Sequence, residues 1–149
     1  MSGAPGGMMG GYGMGGYGYR MRGYRGGMMG GSMLRHRQVM TDGIPAVYAR
    51  LRNPLPSSTA VIAAGNALYR ANCAACHGDL GDGDGPAAAG MSPPPANLRW
   101  SMRRPVVGDA YLMWTISEGG GQIGTAMPAF KDALTETERW KLIRFLRTL

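Results

Sequence analysis

Apolar positions recur at helical spacing in three stretches of the chain. Ala60, Val61, Ala64, Leu68 and Tyr69 follow Ser58 and Thr59, either of which can serve as an N-cap, and predict a first helix running up to Cys73. Tyr111 to Glu118 forms a second, with Asp109 as its cap and Gly119, Gly120 and Gly121 as its stop. Trp140, Leu142, Ile143, Leu146 and Leu149 mark a third, opened by Thr135 with Glu138 three residues on, the spacing of a capping box. No segment alternates convincingly enough to be a strand. Residues 78–108 are crowded with Gly and Pro, which forbids long regular structure there. The pattern predicts an all-α domain over residues 58–149, with three main helices and long loops. Residues 41–57 read as a strap or linker. Pro45, Pro54 and Pro56 prevent a long helix, Ala46 to Arg52 has room for one or two turns, and Ile44, Val47, Tyr48, Leu51 and Leu55 are apolar enough to lie against the domain.

Composition sets residues 1–40 apart. Most of the 26 Gly and 13 Met of the 149-residue chain lie in its first 45 residues, interleaved with Tyr and Arg. Such a chain loses much backbone entropy on ordering and has little aliphatic surface to offset it, so the segment reads as a disordered tail. Residues 1–55 carry Arg20, Arg22, Arg25, Arg35, Arg37, Arg50 and Arg52 against Asp42 alone, which accounts for nearly all of the net charge of +7. A basic tail is an electrostatic tether for anionic lipid, an acidic partner or nucleic acid, and composition does not choose among them. Its clustered methionines (Met8, Met9, Met14, Met21, Met28, Met29 and Met33) are soft ligands suited to Cu(I), a minority reading beside the plain flexible tether. No run of about 18 apolar residues exists to span a membrane.

A domain of this size buries little of its own surface, and long loops ask for something else in the core. The candidate is the run Cys73-Ala74-Ala75-Cys76-His77. C-x-x-C-H is an attachment signal for a c-type haem. Residues three apart at a helix end share nearly one face, so two thiols can add across the two vinyl groups of one haem. The following imidazole then reaches the iron as proximal ligand. A thioredoxin-like reading lacks its βαβ context, and a zinc site lacks ligands, since the two histidines are His77 and the distant His36.

Residues 59–149 resemble the bacterial mono-haem class I c-type cytochromes. The resemblance rests on Gly65-x-x-x-Tyr69, the haem run with Gly78, Gly81-Asp-Gly83-Asp-Gly85-Pro86, Pro93-Pro-Pro95-Ala-Asn97-Leu98, and Met127-Pro128-Ala-Phe130 before the last helix. It implies one haem c held through Cys73 and Cys76, axial ligands His77 and Met127, packing of the first helix on the last at Gly65, and one-electron transfer outside the cytoplasm. Partners would be redox proteins or a membrane respiratory complex, with no nucleic acid. The alternatives are a haem c subunit of a larger respiratory or dehydrogenase complex and, behind it, a five-coordinate enzyme or gas sensor. Haem c is attached after export and no signal-peptide pattern is visible, so a periplasmic location implies a precursor that starts upstream or a chain already trimmed.

Among the thioethers, Met113 lies within an apolar helix and reads as core. Met91 and Met102 sit in loops without further support. Met127 follows a glycine-rich loop that lets the backbone approach a ring, and Pro128 stiffens it. His36 as distal ligand is disfavoured because its segment reads as mobile. The Nδ1–H of His77 needs an acceptor, expected in the turn near Pro86. Arg99 and Trp100, with Arg103 and Arg104, are candidate propionate partners or simply a solvated basic loop. Leu98, Tyr111, Trp114, Ile116, Ile123, Pro128 and Phe130 are the expected haem wall. Asp79, Asp82 and Asp84 read as turn-formers, because the distal Glu of a calcium loop is missing.

Overall fold

The computed structural model describes residues 31–149. Readings that fall on residues 1–30, including most of the tail methionines, lie outside the described residues. Among the latter the chain forms seven α-helices and no strand: α1 (Gly31–Asp42), α2 (Ala46–Ala49), α3 (Thr59–Asn72), α4 (Ala74–His77), α5 (Leu98–Met102), α6 (Asp109–Glu118) and α7 (Glu136–Leu146). Short 3-10 turns occur at Pro86–Ala88 and Gly121–Ile123. Among the described residues the architecture is all-α, short helices joined by long loops, as the pattern predicts.

The three expected helices are α3, α6 and α7. Ser58 caps α3 by accepting the Val61 N–H at 3.3 Å. The capping box of α7 is complete: Glu138 N donates to Thr135 Oγ1 at 3.2 Å, and Thr135 N donates to Glu138 Oε2 at 2.8 Å. α3 and α7 cross at Gly65. A Cβ placed there would collide with the Lys141 carbonyl oxygen and come within 2.9 Å of Phe145 Cβ, so only glycine permits the approach. Tyr69 packs on Phe145 with ring centroids 5.1 Å apart, and Trp140, Ile143 and Leu146 complete the buried seam. α6 begins at Asp109 with Gly108 as its cap, not at Tyr111 with Asp109 as cap. The Asp109 carboxylate instead accepts from Asn53 N at 3.0 Å and from Arg147 Nη2 at 3.1 Å. Gly119, at φ 65°, ends α6 as expected.

α5 interrupts the stretch read as loop. Asn97 Oδ1 accepts the Trp100 N–H at 2.8 Å, so a good N-cap starts one short helix between the Pro93–Pro95 run and Pro105. The strap packs on the domain through Ile44, Tyr48, Leu51 and Leu55, whereas Val47 is exposed. Tyr48 Oη donates to Glu118 Oε1 at 2.6 Å, Asn53 Nδ2 to the Trp140 carbonyl at 2.9 Å, and Arg144 Nε to the Leu55 carbonyl at 2.7 Å.

The tail reading of residues 1–40 needs correction at its end. From Gly31 the chain is helical. Between Gly31 and Gly43 there is no glycine, and Met33 to Met40 are mostly good helix formers, a local change that the composition of the whole tail conceals. α1 is anchored by tertiary bonds: Gly31 N donates to the Pro94 carbonyl at 3.1 Å, and the Ser32 and Ser101 hydroxyls are 2.8 Å apart.

Candidate functional site

A crevice opens between α4, the Pro93–Ala96 loop, α6, the loop at Thr125–Pro128 and the start of α1. Its empty space, mouth included, is about 1090 Å³, and its walls are mainly apolar. That is the size and character of a site for a large organic group. Cys73, Cys76, His77 and Met127 all line it.

α3 delivers the two cysteines. Its last bond, Cys73 N to the Tyr69 carbonyl at 2.8 Å, runs into the α4 turn, where Cys76 N and His77 N both donate to the Cys73 carbonyl, at 3.1 and 2.9 Å. Gly85 packs against the Ala74 and Ala75 carbonyls, and Gly83 N donates to the His77 carbonyl at 2.8 Å, which fixes this turn from below. Tyr69 Oη donates to the Gly78 carbonyl at 2.6 Å, tying the turn to the α3–α7 seam. Burial pushes the Cys73 thiol up to about 12, with the neighbouring Cys76 adding to the rise. Burial likewise lowers His77, only partly countered by its bond to Ala96, so the imidazole is neutral at ordinary pH, the state that ligates iron.

His77 Nδ1 lies 2.9 Å from the Ala96 carbonyl. That bond places the proton on Nδ1 and leaves the Nε2 lone pair for a metal. The acceptor is therefore Ala96, at the end of the proline run, and not the turn near Pro86. Pro86 is exposed and lies outside the crevice lining.

On the opposite side, the Gly119–Phe130 loop folds back on α6. Gly120 N donates to the Met127 carbonyl at 2.9 Å, Thr125 N to the Gly120 carbonyl at 3.0 Å, and Phe130 N to the Ile116 carbonyl at 3.0 Å. A Cβ on Gly119 would lie 2.6 Å from the Met127 carbonyl oxygen, so glycine is needed to bring Met127 and Pro128 this close. Met91 and Met102, expected to lie in loops without further support, also line the crevice. Met113 does not; it is buried in the core, with the Ser117 hydroxyl 3.6 Å from its sulfur.

Of the expected wall, Leu98, Tyr111, Ile116, Ile123, Pro128 and Phe130 line the crevice. Trp114 does not: Tyr111, Leu112, Thr115 and Ile116 form the crevice face of α6, and Trp114 lies under Arg35 instead. Arg99 is exposed and pairs with Asp82 at 3.5 Å. Trp100 is stacked between His36, with centroids 5.7 Å apart, and the Arg104 guanidinium at 3.9 Å. Neither lines the crevice. His36 belongs to α1 and is held against Trp100 and Tyr111, so position rather than mobility keeps it from the crevice. Two buried polar atoms of crevice-lining residues lack hydrogen-bond partners: Thr115 Oγ1 and Arg35 Nε. The residues fit a covalent haem. Paired cysteines, a neutral imidazole with its tautomer fixed and a thioether all meet one apolar crevice.

A family model described as cytochrome C oxidase, cbb3-type, subunit III matches residues 60–146. Among solved structures, a chain of the Kuenenia stuttgartiensis reducing HAO-like protein complex is similar, at 26% identity and a TM-score of 0.53 over 64% of this chain. The match spans 46% of that chain, under half its length. No curated protein matches the sequence.

Proposed function

Because the chain belongs to the family of cytochrome c oxidase, cbb3-type, subunit III, we propose that it is an extracytoplasmic one-electron carrier with one haem c joined to Cys73 and Cys76 and ligated by His77 and Met127. The cytochrome c domain itself implies electron transfer by haem c and a non-catalytic role. The observation that carries the finer assignment is the convergence of these four side chains on one apolar crevice. With haem c bound, His77 and Met127 would hold its iron, and the group would supply one-electron transfer. The protein's part is to hold the ligands still. The Ala96 carbonyl orients the imidazole, the contact of Gly119 with the Met127 backbone positions the thioether, and the apolar walls exclude water. Met127 is preferred over Met91 and Met102 because its loop is closed on itself by the Gly120–Met127 bond and tied to α6 by Phe130 N, which donates to the Ile116 carbonyl. An extracytoplasmic, periplasmic location follows from the chemistry of haem c attachment. Partners are redox proteins that would approach the haem edge near Cys73 and Cys76. The basic tail adds attraction to an anionic membrane surface.

A second reading has a specific basis: the family description names a subunit, and the similar solved chain comes from a protein complex. In this reading the same haem domain relays electrons within a larger redox assembly. Stable co-purification of a redox partner with the exported protein separates it from a free shuttle.

The test is the absorption spectrum of exported protein, oxidised and reduced, with and without carbon monoxide. The expected result is a haem c spectrum indifferent to carbon monoxide, with a Met–ferric charge-transfer band lost in Met127→Ala but kept in Met91→Ala and Met102→Ala. Ready carbon monoxide binding by the unmutated protein refutes the carrier reading and favours an open iron site.

A further inference from the structure

Arg35 is only 2% exposed, yet it lines the crevice from α1, outside the segment that the family model matches. Its Nη1 donates to Gln38 Oε1 at 3.0 Å, its Nη2 donates to the Gly119 carbonyl, and its guanidinium carbon lies 4.3 Å from the centroid of the Trp114 ring. Its Nε is buried without a partner. Every one of these contacts is neutral. No ion pair among the described residues includes Arg35, and residues 1–30 contain no Asp or Glu that might supply one. Glu118 is near enough to be felt, but its carboxylate is engaged by Tyr48 and Lys131. A buried cation without an anion is costly, and structures that retain one generally provide a counter-charge.

The crevice is where that counter-charge would enter. Resting on the haem reading above, we infer that Arg35 is a cofactor-binding residue: its buried guanidinium is the counter-charge for the carboxylate side arms of the haem. The position is built rather than incidental. The Gly119 carbonyl and the Trp114 face fix the guanidinium, while the Pro94 and Ser101 contacts fix the start of α1. A cation in this wall opposes the extra positive charge of ferric iron and so favours the reduced state.

The test is the midpoint potential of full-length, haem-loaded protein, read by spectroelectrochemistry. Removing one charge from a partly desolvated wall in Arg35→Gln lowers the reduced-to-oxidised ratio at fixed ambient potential roughly tenfold, equivalent to about 59 mV for one electron. Arg35→Lys keeps the charge and holds the ratio within about threefold of the parent. An unchanged ratio in Arg35→Gln, with only stability reduced, overturns the inference. Arg35→Met, neutral and apolar, stands in if the Gln variant does not fold. Haem retained by the Lys variant but by neither neutral variant supports the charge requirement. Haem lost from all three makes Arg35 a structural residue and overturns it. Absence of covalent haem from the unmutated protein instead fails the earlier reading.

Discussion

Tyr69→Phe isolates the link between the α3–α7 seam and the turn that carries His77. Tyr69 is fully buried, its ring packs on Phe145, and its hydroxyl donates to the Gly78 carbonyl at 2.6 Å. Phenylalanine fills almost the same volume, so no cavity opens and the change reads the hydrogen bond. Leaving a buried acceptor unsatisfied costs about 1–3 kcal/mol. Here the Gly78 carbonyl keeps a second, longer bond from the Gly81 N–H at 3.2 Å, which argues for the lower half of that range. The expected loss is about 1–2 kcal/mol, or a fall in Tm of about 3–8 °C for a domain of this size. Urea unfolding of haem-loaded protein, followed by far-ultraviolet circular dichroism, gives the number; the midpoint should fall with the slope unchanged. The reduced haem spectrum should stay as in the parent, because the His77–Ala96 bond is untouched. A loss below about 0.5 kcal/mol would refute the reasoning, since it would mean that the hydroxyl is as well satisfied by water as by Gly78.

Two further outcomes follow from the packing and the charges. Gly65→Ala gains about 1 kcal/mol of helix propensity but forces its Cβ against the Lys141 carbonyl, an overpacking cost of about 1–3 kcal/mol. Thermal unfolding should therefore show a net loss, and a more stable variant would mean that α3 and α7 do not cross so closely. Burial raises the Asp109 carboxyl, but the Asn53 N–H and Arg147 outweigh it, so its folded pKa lies below the usual value. The stability it contributes is present above about pH 4 and disappears as pH falls through the lower folded value. Asp109→Asn should be less stable than the parent at pH 7 and converge with it in acid; an equal deficit at both pH values would refute the assignment.

What the sequence disclosed was whatever has a local signature. The three main helices have their periodicity and caps, and the haem run has a fixed spacing; the crossing at Gly65 was legible only through the family resemblance. Contacts between distant segments were not disclosed in the same way. The acceptor for His77 lies nineteen residues away at Ala96, brought there by a loop whose course is set by prolines and not by any apolar pattern. Trp114 was expected in the haem wall because it is aromatic and close in sequence to residues that do line it, and Trp100 as a propionate partner beside it. Both are instead covered by cations, Arg35 and Arg104. Helical phase explains the first case: Tyr111 and Thr115 define the crevice face of α6, and Trp114 does not lie on it. The spacing of apolar positions cannot resolve that phase in a helix that is buried nearly all round.

The same distinction explains why the folded unit is longer than the family segment. α1 and the strap have weak patterns of their own, and α2 is a single turn. Their order comes from what they touch. Asn53 and Leu55 satisfy groups on α7, Tyr48 meets the end of α6, and Arg35 reaches the Gly119 carbonyl, where α6 stops and the Met127 loop begins. Each of these contacts falls on an element that also borders the crevice or supports one that does. A small domain built around a large crevice buries little of its own surface with which to hold the crevice lining rigid. Chain wrapped around the outside supplies contacts, and its start, at Gly31, Ser32 and Arg35, lines the crevice itself. Residues 31–57 therefore belong to the folded unit and not to the tail that precedes it, and at Arg35 they bring to the crevice wall a charge that residues 60–146 do not provide.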